Sequence, residues 1–167
     1  MKNYSKANLG RAFEEQVERS NKMYQRRGQA LIIKAHTEVS VKRKGKELTG
    51  AAFGEKAPVD FIGLAQGVPV AFDAKSTSEL TKLPYANIVQ HQIQFMHDFE
   101  KQGGRSFLLV HFNKHHETYL ITFQQLTTYI ASSKYKYISY DYFKQHCSLI
   151  TCADLVECDW MSALLGG

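Results

Sequence analysis

The hydrophobic positions of the chain switch between a helical and a strand period, and the switches fall near glycines. From Ala7 to about Arg27, Leu9, Phe13, Val17 and Tyr24 share one face at about 100° per residue, which predicts a helix capped by Gly28. Ala30 to His36 reads as a first strand. Residues 37–57 then lose the period: Gly45, Gly50 and Gly54 interrupt them, and Val39, Val41, Leu48 and Phe53 are their few large apolar groups. So long a loop in a compact domain is usually functional or disordered. Its place between the first strand and the next apolar run makes it a candidate projecting arm. Two apolar runs follow, Pro58 to Ala65 and Val68 to Lys75, joined at Gln66-Gly67 in the manner of a hairpin.

Beyond a polar stretch, Asn87 is placed to cap a helix reaching about Gln102, with Ile88, His91 or Gln92, Phe95, Met96 and Phe99 facing inward and Gly103-Gly104 stopping it. Ser106–Phe112 and Thr118–Phe123 read as two strands hairpinned around Asn113 to Glu117, and Gln124–Ser132 as a short helix. The tyrosine-rich Tyr135 to Phe143 and the apolar tail to Leu165 carry no clear period; an edge strand and a packing helix are expected there. The order helix, strand, arm, hairpin, helix, hairpin, helix implies an α/β fold with a mixed central sheet. At 167 residues the chain suits one domain, 1–167, with the arm at about 37–57.

The first hairpin carries the chemistry. With Gln66 and Gly67 as the central loop residues, Ala65 faces Val68, and the ladder runs outward until Asp60 stands opposite Asp73. Period two puts Lys75 on the face of Asp73. Opposed carboxylates repel unless a cation lies between them. A divalent metal with oxygen ligands is the usual remedy, and a nearby ammonium steadies a nucleophile or a phosphate. On the first helix Glu14 lies at the edge of the apolar stripe and Glu15 nearly opposite it, so Glu14 is the better placed to reach inward; a flanking surface glutamate is the alternative.

Charge adds a partner class. The formal net charge is +5, and Lys42-Arg43-Lys44-Gly45-Lys46 is the densest basic cluster, with Arg26-Arg27 and Lys34 upstream. Phosphate neutralisation makes a nucleic acid a natural partner for Lys42, Arg43, Lys44 and Lys46, against the alternative of a solvated loop. Cys147, Cys152 and Cys158 are odd in number, which argues against a disulfide framework, and their spacing suits no zinc site. No run is apolar enough to cross a bilayer and no signal-peptide layout opens the chain, so no membrane and a cytoplasmic location are expected.

An acid, a gap of a dozen residues, then acid-x-Lys on a strand is the pattern of the PD-(D/E)xK nucleases. In that chemistry Mg²⁺ or Mn²⁺ held by Asp60 and Asp73 activates water and offsets leaving-group charge, while Lys75 orients the water or stabilises the pentacoordinate phosphorus. The carbonyl of Ala74 and the carboxylate of Glu14 are candidate further ligands by position.

A wider set of motifs resembles the RecU family of Holliday-junction resolvases: Asn8-Leu9-Gly10 with Phe13-Glu14-Glu15, Pro58-Val59-Asp60-Phe61-Ile62-Gly63, Phe72-Asp73-Ala74-Lys75-Ser76-Thr77, Leu83-Pro84-Tyr85-Ala86-Asn87, His91-Gln92 and Gly103-Gly104-x-Ser106-Phe107, in the family's order across roughly residues 7–125. The resemblance implies a restriction-endonuclease-like fold and a homodimer that nicks opposing strands of a four-way junction with Mg²⁺ or Mn²⁺. It also implies a stalk at the irregular segment, Asp60, Asp73 and Lys75 at the catalytic centre, support from an acid of the Glu14-Glu15 pair, and Gln92 facing the site. Leu9 stands where the family has arginine and Asp73 where glutamate is frequent, and residues 126–167 add nothing to the resemblance. A shortened, phage-encoded or divergent member is the expectation. Two other readings stand beside it: a nuclease of ordinary duplex or flap DNA, and a non-catalytic junction-binding recombination protein with structural acids.

Overall fold

The stripe of Phe13, Val17 and Tyr24 becomes the buried face of helix α1 (Lys6–Arg26), while Leu9 near its start is half-buried. Gly28 ends the helix at φ +67°, and the Gln29 N–H donates to the Tyr24 carbonyl at 2.9 Å, the left-handed stop that glycine favours. A computed structural model describes residues 6–36, 39–44, 47–53 and 57–166, with 39–44 and 47–53 as backbone.

After α1 come β1 (Ala30–Lys34), β2 (Val39–Lys44), β3 (Glu47–Phe53), β4 (Phe61–Ala65), β5 (Val68–Thr77), β6 (Lys82–Pro84) and a 3₁₀ turn, Tyr85–Asn87. The remaining elements are α2 (Gln90–Lys101), β7 (Arg105–Phe112), β8 (Glu117–Thr122), α3 (Phe123–Ser132), β9 (Tyr137–Ser139), α4 (Tyr140–His146), β10 (Ser148–Ile150) and α5 (Trp160–Leu165). Six strands form the main sheet in the order β1-β4-β5-β7-β8-β10. Its central pair β5 and β7 is parallel, joined through α2, and the others are antiparallel, because a parallel neighbour needs a crossover rather than a turn. The expected mixed sheet flanked by helices is formed.

Both faces of this sheet are covered. Phe72 and Phe107 share a core with Phe13 and Val17 of α1, whereas Ala71 and Leu108 share another with Met96 of α2 and Leu126 of α3. Strand β5 therefore reads as an uninterrupted buried run from Val70 to Ala74, the signature of a strand covered on both sides. Its turn uses positive φ at Gln66 (49°) and Gly67 (80°), as a two-residue turn matching the twist of its strands requires. Gly63 on β4 is needed for a different reason. A Cβ there would lie 2.0 Å from the Leu31 carbonyl oxygen of β1.

Several expectations are corrected. The aperiodic segment forms a hairpin, with Val39 facing Phe53 and a register shift between Lys42 and Arg43; its two strands make a separate sheet. Asn87 lies in the 3₁₀ turn and does not cap α2; Val89 occupies the N-cap position, its N–H held by the Gln92 side chain at 3.3 Å. Pro84, its φ fixed by the ring, holds extended backbone just before the turn. Phe123 opens α3 instead of closing β8, with Thr122 as its cap. The tail is core: Trp160 is fully buried, 4.9 Å from the Phe72 ring and 5.5 Å from Phe107, and its indole N–H donates to Asn21 at 2.9 Å. The expected edge strand is β10, paired with β8. Among the described residues no helix is long and apolar enough to cross a membrane.

Candidate active site

Strands β4 and β5 pair Ala65 with Val68 and Phe61 with Phe72, so the ladder's next step sets Asp60 against Asp73 as the turn predicts. The backbone then locks the two carboxylates together. The Asp60 N–H donates to Asp73 Oδ1 at 3.0 Å, and the Ala74 N–H donates to Asp60 Oδ2 at 2.9 Å. Each acid thus anchors on the other's strand.

Asp73 is fully buried, which is costly for a charge unless it is paired and hydrogen-bonded. Its Oδ1 also accepts from Gln92 Nε2 at 2.9 Å, and the Lys75 ammonium abuts its Oδ2. That contact is an ion pair between a buried carboxylate oxygen and the ammonium. Gln92 is itself buried, bracketed between Asp73 and the Val89 N–H. Lys75 is less enclosed, with 16% of its side chain exposed. The structure brings together Asp60, Asp73, Lys75 and Gln92.

Burial raises the Asp60 pKa first, and the Asp73 carboxylate raises it further; the Ala74 N–H works the other way. Together they push Asp60 up to about 7. A carboxylate pair that resists carrying two negative charges suits an oxygen-liganded divalent cation. Among the described residues no three His, Cys, Asp or Glu side chains converge on one point, so the carboxylate donors brought together are Asp60 and Asp73.

Glu14 takes a different position. As its helical angle predicts, it faces the sheet while Glu15 pairs outward with Arg11 at 3.0 Å. Its carboxylate meets Lys34, at 3.1 Å, and Lys34 also holds Glu18 at 2.6 Å. Glu14 is near enough to raise the Asp60 pKa through its charge. Lys34 is therefore an ion-pair partner of α1 rather than part of a free basic surface. Alternation in β1 carries that signal, since Lys34 shares a face with the half-buried Ile32 beneath α1. The backbone of Lys42, Arg43 and Lys44 belongs to β2; their side chains, and all of Lys46, lie outside the described residues. Cys158 is buried, Cys147 half-buried and Cys152 exposed, all as free thiols.

The RecU family model, described as Recombination protein U, matches residues 8–165, well past the reach of the motifs. The Holliday junction resolvase RecU of Oceanobacillus iheyensis is 31% identical over 167 residues, covering 95% of this chain and 85% of its own. Its counterpart in Streptococcus gordonii is 33% identical over 151 residues, covering 86% and 76%. Among solved structures, the Archaeoglobus fulgidus Holliday junction resolvase Hjc aligns at a TM-score of 0.47 and 11% identity, over 81% of this chain and 92% of that one.

Proposed function

The chain belongs to the RecU family, and on that premise we propose that it is a junction-resolving endodeoxyribonuclease whose centre is Asp60, Asp73, Lys75 and Gln92. The observation that carries this reading is the buried Asp73 carboxylate, held by the Asp60 N–H and Gln92 on one oxygen and faced by Lys75 on the other. A structural carboxylate in a core would end on neutral donors alone; this one is set beside a second acid and a partly exposed ammonium.

Asp60 and Asp73 would hold Mg²⁺ or Mn²⁺, with the Ala74 carbonyl as a candidate third donor and Glu14 in support if it leaves Lys34. When bound, such an ion lowers the pKa of a water and offsets charge on the phosphoryl and leaving oxygens. The protein's own groups do the rest. Gln92 holds Oδ1 of the Asp73 carboxylate, so that the group keeps one orientation toward Lys75 and Asp60. The Ala74 N–H does the same for Asp60. Lys75 is exposed enough to reach a phosphate oxygen or an attacking water while it stays in contact with Asp73. The β2–β3 hairpin, rooted between β1 and β4, is the stalk of this reading, with Lys42, Arg43, Lys44 and Lys46 meeting DNA backbone. Paired nicks in opposing strands require two such centres, and a homodimer supplies them.

The test compares a mobile four-way junction with a matched linear duplex, each with and without Mg²⁺. Metal-dependent, paired cutting of the junction alone is expected. Equal cutting of both would favour the ordinary duplex nuclease, and binding without cutting at any metal concentration would favour the non-catalytic protein. A strictly monomeric protein by light scattering would remove the paired-nick part.

A further inference from the structure

Between α3 and β9 the chain runs Ser133-Lys134-Tyr135-Lys136-Tyr137, and no acid occurs from Phe123 to Tyr140. This segment does not turn its tyrosines into the core. Tyr135 is 50% exposed, and Lys134 and Lys136 are exposed. The Tyr135 and Tyr137 rings stack on each other, with centroids 5.2 Å apart and planes 24° from parallel. Lys134 Nζ lies 5.4 Å from the Tyr135 centroid and Lys82 Nζ 5.3 Å from that of Tyr137. Cations on stacked, partly exposed rings form a surface on which a base can stack while its phosphates are neutralised.

The placement of this ridge relates it to the active site. Strand β9 pairs with β6, setting Pro84 opposite Tyr137 and Leu83 opposite the buried Ile138. The Tyr85 N–H donates to the Lys136 carbonyl at 3.1 Å, so the ridge is fixed to the 3₁₀ turn that leads into α2 and Gln92. Ser76, Thr77 and Ser78, directly after Lys75, line a polar pocket of about 100 Å³ with Glu79, and its other wall is Pro84 and Asn87. A polar track thus leads from Lys75 through Ser76 and Asn87 to Pro84 and its partner Tyr137.

We propose that Lys134, Tyr135, Lys136 and Tyr137, with Lys82, form a second DNA-binding surface that takes the strand leaving the active site, Tyr135 stacking on an unpaired base at the branch point and the lysines neutralising its phosphates. It rests on the junction-nuclease reading and is separate from the stalk cluster. An opened junction centre supplies the unstacked base that a linear duplex withholds.

The experiment measures binding of a four-way junction and of a linear duplex by fluorescence anisotropy with Ca²⁺ replacing Mg²⁺, across a salt series. Lys134→Ala/Lys136→Ala is expected to weaken junction binding about tenfold at moderate salt and to lower the slope of log K against log salt by roughly 1.8, about 0.9 for each phosphate no longer neutralised. Tyr135→Leu should weaken junction binding several-fold with little change in that slope, and Tyr135→Phe should restore it, because stacking needs the ring and not the hydroxyl. An unchanged slope in the double variant, or equal binding by Tyr135→Leu and the parent, would overturn the second surface. Circular dichroism and melting temperature check that each variant is folded, and these exposed positions should leave both unchanged. Failure of the parent protein to prefer the junction would instead overturn the underlying functional reading, so the two failures are distinct.

Discussion

Two hairpins follow one another in this chain and meet opposite fates. The β4–β5 hairpin lies inside the six-stranded sheet, with Phe61, Val70, Ala71, Phe72 and Asp73 buried and two helical layers around it. The β2–β3 hairpin pairs only with itself among the described strands and carries the basic run. Both are antiparallel and both have two strands; the sequence that fills them differs. A continuous apolar run drives the first under α1 and α2, where each hydrogen bond to Asp73 is strong because water is excluded. The second has no continuous apolar run, its few large apolar residues being separated by lysine, arginine and glycine. On the proposed function, chemistry falls to the dry hairpin and recognition of a large polyanion to the basic one.

The sharpest way to break this division is Asp73→Asn. It should lower cleavage by at least about a thousandfold, a drop of roughly 4 kcal/mol in transition-state stabilisation, while junction binding persists in Ca²⁺. Loss of binding as well would show that the buried hairpin also shapes the substrate surface. The converse change, deletion of Val39–Phe53 and its turn, should reduce junction affinity by about a hundredfold, the size expected when several phosphates go without a cation, and should lower the preference for junction over duplex. Residual nicking of a nonspecific duplex should remain. A deletion variant with full junction preference would remove the stalk from recognition.

Gln92→Leu tests the support of the dry centre. Leucine fills similar space and withdraws one donor from Asp73, so the expected effect is about tenfold on the cleavage rate. Isothermal titration should show Mn²⁺ binding weakened as well. Equal metal affinity in the variant and the parent would relegate Gln92 to packing.

The smallest expected effect concerns pH. The Asp60 pKa lies above its unfolded value, so between the ordinary carboxylate range and about pH 7 the folded protein binds more protons than the unfolded chain. This contribution to stability is fully present at low pH and is lost as pH rises toward 7. Without metal, the melting temperature should therefore fall by a few degrees across that window relative to Asp60→Asn, which lacks the titrating group. Saturating Mg²⁺ should flatten the difference. Parallel curves for the two proteins without metal would show that the carboxylate pair is not strained.

Local periodicity decided much of this molecule. The stripe of Phe13, Val17 and Tyr24, the stop at Gly28, the Gln66-Gly67 turn and the register setting Asp60 beside Asp73 follow from spacings of a few residues. Short-range geometry is enough for each. Periodicity also put Lys75 with Asp73 and turned Glu14 inward, and the matching motifs identified the family and the helix bearing Gln92. Only tertiary structure decided the rest. Strands as short as Lys82–Pro84 and Tyr137–Ser139 have no period of their own and exist because they pair across a long stretch of chain. Trp160 becomes core because Phe72, Phe107 and Asn21 meet it from distant elements. Glu14 points as its helix dictates, yet its partner is chosen by Lys34, delivered by another strand. Direction along an element is local, and the identity of what waits there is set by how the elements pack.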